Sequence, residues 1–305
     1  LIVNDLWLIA TALALVWFAR VLGMPWPPAV GAGVIFMAYA TPTSVTVITV
    51  IATRHDLVCV LFSILATGML IRYLEGGIPR DLWAYAGLSL VAYLSKEMAV
   101  ALLPIAGLLA LAKLRETPRR RLATAVGAAV AIAAAWFAWY LVAEARMASG
   151  PLEAHTFGGM WALLQRRWPR SVMLLVNSLF PPIYGLQLVA RTRPGIWILW
   201  YDVFWWEVAS LGLWTLMIWL LWTEHRWWLG VIYAWKVCTY LPVLPLSDTW
   251  PWYLYMPRAL DPLLFAGAAW AGWWSWGIGE YLRRAVSRLH RDTDTTPETD
   301  REAVT

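Results

Sequence analysis

The sequence predicts an all-α, polytopic integral membrane protein. Hydrophobic residues make up 61% of the chain and charged residues 14%, against roughly 25% charged residues in an ordinary soluble domain. Several apolar stretches reach the roughly 20 residues that a helix needs to cross the hydrocarbon core of a bilayer. These stretches are continuously apolar and lack the alternation of barrel strands. Because lipid offers the backbone no hydrogen-bond partners, we expect each of them to be a helix.

The apolar stretches give about nine candidate transmembrane helices. Their approximate bounds are 4–22, 27–41, 55–74, 82–95, 97–113, 121–142, 205–223, 228–243 and 258–280. The fourth and fifth spans meet at Ser95, Lys96 and Glu97. We expect a tight turn there, because a turn at the membrane surface removes most of the free-energy cost of placing two ions in hydrocarbon.

The positions of lysine and arginine orient the chain. The loop 113–121 and the segment 283–291 are rich in basic residues, so we expect both to be cytoplasmic. Two cytoplasmic ends require an even number of crossings between them. The four spans 121–142, 205–223, 228–243 and 258–280 already give an even number. We therefore expect 143–204 to be one large extracytoplasmic loop with amphipathic or re-entrant helices. Residues 1–281 then form the transmembrane domain, and 282–305 form a disordered cytoplasmic tail.

Segments at the predicted outer face carry the polar groups that are suited to chemistry. They supply Arg54, Asp56, Lys96, Glu97, Asp248, Tyr253, Tyr255 and Arg258, together with the arginines of loop 143–204. Cationic side chains bind phosphate, and a carboxylate can act as a base. A pocket of this kind at the bilayer edge fits a sugar linked to a lipid phosphate. The net charge of +5 reflects topology signals, and we expect no nucleic-acid partner.

Plainer interpretations exist for the same residues. Arg54 and Asp56 are also typical of an interfacial helix cap with an ion pair, and Lys96 with Glu97 also fits the end of a span. Lys236 is the one charge near the middle of a predicted span. It either extends its ammonium group to the surface or lines a cavity.

Several of these residues stand in motifs that resemble the GT-C superfamily of polytopic membrane glycosyltransferases. Arg54, Asp56 and Leu57 are similar to an R-x-D-L-L segment that opens one span in that superfamily. "LSKE" (94–97), followed by Pro104, is similar to a later L-S-K-E segment. The likeness is greatest to the transmembrane O-mannosyltransferases that carry tetratricopeptide repeats and to their bacterial relatives. "YLYMP" (253–257) and "LIVNDL" (1–6) resemble further segments, and no such repeats follow the last span in this sequence.

The resemblance implies a glycosyltransferase of a bacterial cytoplasmic membrane. It would move a sugar from a polyprenyl-phosphate donor to a hydroxyl of an acceptor protein, lipid or glycan on the extracytoplasmic side. The alternative from the residues is a transporter or flippase for a lipid or small anion.

The resemblance also implies roles for individual residues. Asp56 and Glu97 would support catalysis, and Asp56 is a candidate ligand if a divalent metal is used. The donor phosphate would be bound by Arg54, Lys96 and Arg258, and the sugar or acceptor by Asp248, Tyr253 and Tyr255. Such enzymes usually carry the catalytic acidic residue in the outer loop between their first two spans. If Leu1 lies in the second span, that residue, the main base, lies upstream of Leu1.

Overall fold

Helices form every regular element that the computed structural model describes. It describes residues 2–38, 54–147, 197–243 and 255–275, together with 277 and 280, and these residues contain no strand. The all-α prediction is therefore confirmed for this part of the chain. The elements are α1 (Ile2–Val21), α2 (Trp26–Ala38), α3 (Arg54–Gly76), α4 (Pro79–Ser95), a 3₁₀ turn (Glu97–Ala101), α5 (Leu102–Ala112), α6 (Arg119–Met147), α7 (Trp197–Tyr240), a second 3₁₀ turn (Leu241–Val243), α8 (Tyr255–Arg258) and α9 (Asp261–Ser275).

Three helices are long and apolar enough to cross a membrane. They contain the stretches Val3–Val21, His55–Gly76 and Arg119–Ala143. Two shorter helical stretches, Trp26–Ala38 and Glu97–Ala112, are also apolar. Length and composition thus support a membrane-associated helical protein, and the larger number of crossings stays a prediction.

The helix ends around α4 follow from local sequence. Gly77 precedes the helix with φ +70°, a left-handed conformation that glycine adopts without steric cost. Pro79 begins α4, where its fixed φ suits the first helical residue. At the other end Lys96 has φ −161° and ψ 145°, so the chain is extended for one residue before the 3₁₀ turn at Glu97–Ala101. This confirms the predicted break between the fourth and fifth apolar stretches.

Helix α7 consists of two arms, 197–224 and 226–240, which reverse direction at His225. The backbone angles of His225 are φ −143° and ψ 49°, outside the helical region. The Nζ atom of Lys236 lies 5.4 Å from the centre of the Trp214 ring, whereas one continuous helix would separate these two residues by about 33 Å. The reversal agrees with the break predicted between 205–223 and 228–243.

The bundle core forms where α1 packs against both α2 and α3, and where α9 packs against α2 and α7. Phe18, Ile64 and Leu263 are fully buried in it. Close approach of α1 and α3 depends on Gly68, because a Cβ atom there would lie 2.4 Å from the ring of Trp17. Small residues at such crossings let helix backbones come together when lipid provides no hydrophobic driving force between helices.

One end of the bundle, called the basic end here, gathers the turns after α1, α3 and α5 and the reversal in α7. Two hydrogen bonds join these turns: Arg121 donates to the carbonyl of Leu74 (3.0 Å), and Trp228 Nε1 donates to the carbonyl of Leu22 (2.9 Å). In addition, Lys113 Nζ lies 4.6 Å from the centre of the Trp227 ring. The opposite end, where α3 and α9 begin, is called the outer end.

The basic end includes the start of the loop 113–121, which the charge pattern of the sequence predicts to be cytoplasmic. Arg20, Arg72, Arg80, Glu224, His225 and Arg226 all lie in or beside its turns. The arrangement matches the charge asymmetry that orients membrane helices.

Helix α6 is the least enclosed of the three helices that are long and apolar enough to cross a membrane. Only 11% of its most apolar window is buried, and Phe137, Trp139 and Leu141 are exposed on it. A large apolar surface of this kind suits contact with lipid chains. The helix continues to Met147, into the predicted loop 143–204. Residues 148–196 of that loop and the predicted tail 282–305 lie outside the described residues.

Candidate functional site

Two segments of the predicted outer-face motif meet in an ion pair between Asp56 and Lys96. Asp56 lies in the first turn of α3, and Lys96 is the extended residue after α4. The Nζ atom of Lys96 donates a hydrogen bond to Asp56 Oδ1. The side chain of Asp56 is only 5% exposed and that of Lys96 only 6%. Residues that are 40 positions apart in the chain are thus brought together because α3 and α4 form an antiparallel hairpin.

The second oxygen of the Asp56 carboxylate has unused hydrogen-bonding capacity. Within the described ranges, Oδ2 is buried and accepts no hydrogen bond; the Nε2 atom of His55 lies 3.8 Å away. Glu97 follows Lys96 in the chain but is exposed, and its charge acts on Asp56 through space. A buried carboxylate oxygen without a donor is uncommon in native proteins, and it can accept a hydroxyl proton from a ligand.

A second ion pair joins Lys236 and Asp261, and both side chains are completely buried. Lys236 is in the second arm of α7 and donates a hydrogen bond to Oδ1 of Asp261, the first residue of α9. The Trp214 ring lies beside the ammonium group at 5.4 Å. Lys236 has no exposed surface, so the interpretation that its ammonium group extends to the surface was wrong.

Arg258, predicted to bind phosphate, lies beside this second pair. It ends the short helix α8, and its side chain is buried. The charge of Arg258 acts on both Lys236 and Asp261. Arg258 therefore belongs to a buried cluster of three charges, of which Asp261 was missed by sequence reasoning.

Both ion pairs lie at the outer end and repeat one arrangement. Each acid is in the first turn of a helix that starts there, namely α3 or α9. Each lysine is at or near the C-terminus of a helix that ends there, namely α4 or α7. The helix dipole favours an anion at the N-terminus and a cation at the C-terminus. Contacts of α8 with α3, and between the two 3₁₀ turns, connect the neighbourhoods of the two pairs.

The remaining predicted site residues are described in part or not at all. Arg54 and Tyr255 have described helical backbones, but their side chains lie outside the described set. Asp248 and Tyr253 also lie outside the described residues. In the described part of the chain, no three His, Cys, Asp or Glu side chains are grouped as metal ligands would be. The first oxygen of Asp56, the predicted metal ligand, is engaged by Lys96.

Comparison with known proteins identifies no relative: no family model, curated protein or solved structure matches the chain. The likeness to GT-C glycosyltransferases therefore rests on the motif residues themselves. Asp56 and Lys96 come from two separate motifs of that likeness and are in direct contact. The site is accordingly defined by this pair, with Glu97 beside it and the buried Lys236–Asp261–Arg258 cluster at the same end.

Proposed function

We propose that the protein is a GT-C-type glycosyltransferase that uses a polyprenyl-phosphate sugar on the extracytoplasmic side of a bacterial cytoplasmic membrane. The observation that carries the proposal is the contact between Asp56 and Lys96. A carboxylate with one unused oxygen and a cation, held together at one end of an apolar bundle, match the needs of a phosphate leaving group and a hydroxyl acceptor. The proposal includes the predicted polytopic topology of about nine crossings.

The reaction is a displacement at the anomeric carbon. A carboxylate takes the proton of the acceptor hydroxyl, and the hydroxyl oxygen forms a bond to the anomeric carbon as that proton leaves. The bond from the anomeric carbon to the phosphate oxygen breaks, and polyprenyl phosphate departs with the electron pair. In-line attack inverts the configuration at the anomeric carbon. Acceptor proton transfer of this kind contributes about 10²–10⁴-fold to rate.

Lys96 would stabilise the phosphate oxygen that gains negative charge. Its burial matters, because a preorganised cation acts more strongly on developing charge where water is excluded. Asp56 holds the lysine in place through Oδ1 and leaves Oδ2 to contact the donor or acceptor. The two pairs differ in access: Asp56 and Lys96 keep a small exposed fraction, whereas Lys236 and Asp261 have none. We therefore assign substrate contact to the first pair and helix association to the second.

Transfer from a labelled donor tests the proposal. Membranes containing the full-length protein are incubated with labelled polyprenyl-phosphate mannose or glucose, and transfer to endogenous acceptors is counted. We expect Asp56→Asn and Lys96→Met to lower transfer by at least about 100-fold. Asp5→Asn is the matched control, since Asp5 is an exposed acid in the first turn of α1 at the same end; it should leave transfer unchanged.

A double variant separates chemistry from folding. Replacing both charges, Asp56→Asn with Lys96→Gln, leaves no unpaired buried ion, and such replacements are often close to neutral for stability. We expect this protein to be stable and still inactive. Recovery of transfer in the double variant would show that the pair acts only in folding. Absence of transfer by wild-type protein with every donor, together with anion or lipid uptake into vesicles, would favour the transporter instead.

A further inference from the structure

A groove opens at the basic end between α5 and the second arm of α7. Its volume is about 560 Å³. Its apolar floor is formed by residues that include Leu109, Val231 and Ala234, and its mouth, at the basic end, carries Lys113 and Arg226. The groove lies at the opposite end from the Asp56–Lys96 pair and takes no part in the proposed transfer.

The mouth of the groove is built differently around its two cations. Lys113 is held in place by Glu75 at 3.3 Å and Glu116 at 3.0 Å. Burial lowers the pKa of Lys113, but hydrogen bonds and charge from these two carboxylates outweigh that effect and raise it, so the lysine stays protonated at neutral pH. Arg226 is exposed, and within the described ranges it forms no ion pair. Its guanidinium is therefore available to an external anion.

Aromatic side chains complete the mouth. Trp227 lies under the Lys113 ammonium, 4.6 Å from its ring centre, and Trp222 also lines the groove. Tryptophan at this level is typical of the boundary between lipid chains and head groups. A mouth with an exposed arginine above an apolar floor at this boundary matches the two halves of a phospholipid.

We propose that this groove binds one anionic phospholipid, with its phosphate at Arg226 and an acyl chain along the apolar floor. Guanidinium groups bind phosphate oxygens through paired hydrogen bonds. Basic pockets between membrane helices on the cytoplasmic side commonly take anionic head groups, and the basic end is the end that the sequence places in the cytoplasm. Glu116 also lines the mouth; it shares Lys113 with Glu75, so Arg226 is the cation that the mouth offers to a phosphate.

Lipid binding to the purified full chain tests the charge at the mouth. Phosphatidylglycerol, phosphatidylcholine and soluble glycerol phosphate are each titrated, and bound lipid is counted by native mass spectrometry. We expect phosphatidylglycerol to bind at least about tenfold more tightly than phosphatidylcholine, a difference of about 1.4 kcal/mol. Arg226→Glu should remove that preference. Arg119→Glu makes the same charge change at the same end but outside the groove, and it should keep the preference.

A second variant tests the apolar floor without changing charge. Gly230 lines the groove, and a Cβ atom there would meet no other atom within 4 Å. Gly230→Leu should therefore fill the groove while the helix keeps or gains stability, since leucine favours helix more than glycine does. Gly212→Leu is the matched control on the same helix, where a Cβ atom is equally unobstructed. We expect only Gly230→Leu to weaken binding of phosphatidylglycerol.

Four results would overturn the proposal. These are equal binding of the two phospholipids, equal losses in Arg226→Glu and Arg119→Glu, undiminished binding in Gly230→Leu, and tight binding of glycerol phosphate without a lipid tail. None of them depends on transfer activity, so failure here is distinguishable from failure of the proposed function.

Discussion

Removing Lys236 tests whether the completely buried ion pair holds α7 and α9 together. Lys236→Met keeps a flexible side chain but deletes the charge, and Asp261 then loses its hydrogen-bonded partner and keeps only the weaker charge of Arg258. Neither side chain has any exposed surface, so the surviving carboxylate cannot regain hydration without opening the bundle. Its cheapest response is to take up a proton.

The magnitude follows from that protonation. An ordinary carboxyl titrates near pH 4, so keeping it protonated at pH 7 costs about 4 kcal/mol. This agrees with the roughly 3–5 kcal/mol lost when one partner of a buried pair is removed. The folded Lys236→Met protein would bind one more proton than the unfolded chain, so its free energy of unfolding should rise by about 1.4 kcal/mol for each pH unit lowered towards 4.

The reverse substitution has the opposite sign. In Asp261→Asn the buried lysine must lose its proton, which costs about 5 kcal/mol at pH 7. The folded state then binds fewer protons than the unfolded chain, so stability should increase as pH rises. Combining Lys236→Met with Asp261→Asn removes both members of the pair and should recover part of the lost stability, since Arg258 stays buried beside them.

Reversible unfolding in mixed detergent micelles, measured between pH 5 and pH 9, provides the free energies. Lys113→Met is the matched control, because the partners of Lys113 are 47% and 68% exposed. Exposed pairs contribute less than about 1 kcal/mol, so this control should lose little stability. The reasoning would be refuted if each single variant lost as little free energy of unfolding as the control and the two losses added in the double variant. It would also be refuted if the free energies of unfolding of Lys236→Met and Asp261→Asn changed with pH in the same direction.

Two further predictions concern the basic end and the topology. The ring centres of His225 and Trp228 lie 3.7 Å apart, and burial lowers the pKa of His225 despite the nearby charge of Glu224. Because the folded protein then binds this proton less readily than the unfolded chain, the free energy of unfolding should be constant above about pH 6.5 and fall at lower pH. The His225→Gln variant should lose this pH dependence. An impermeant maleimide added to intact cells should label Asp5→Cys, at the outer end, but not Arg80→Cys, at the basic end. The native cysteines, Cys59 and Cys238, are buried and should give little background labelling. Labelling of both variants from one side would contradict the orientation.

The sequence predicts the helices well because lipid leaves the backbone few choices. A long apolar stretch must be helical in hydrocarbon, and charges between such stretches mark the ends. The turn at Lys96 follows from this rule, as does the reversal near His225. The contact between Asp56 and Lys96 also follows, because neighbouring spans run antiparallel and place successive outer ends side by side.

Asp261 is harder to predict, since an acid at the start of a helix is common for reasons of the helix dipole alone. Sequence spacing does not tell which faces of α7 and α9 meet, and the pairing depends on that rotation. One signal was present: a lysine inside an apolar run requires a counter-charge, and "RALDPLL" offers an acid at the start of the last predicted span. The groove beside Arg226 gave no sequence signal, because its floor is formed by two helices distant in the chain.

The spacing of the two ion pairs along the chain bears on how the protein enters a bilayer. A helix inserted alone is disfavoured by about 2.5–3.5 kcal/mol for a lysine or aspartate at its centre, and by less for one near its end. Asp56 begins α3 and Lys96 follows the next helix, α4, and Asp261 follows Lys236 by 25 residues. Each pair therefore joins helices that are close in the chain, so that its two charges can neutralise each other within one hairpin during insertion, without the rest of the bundle.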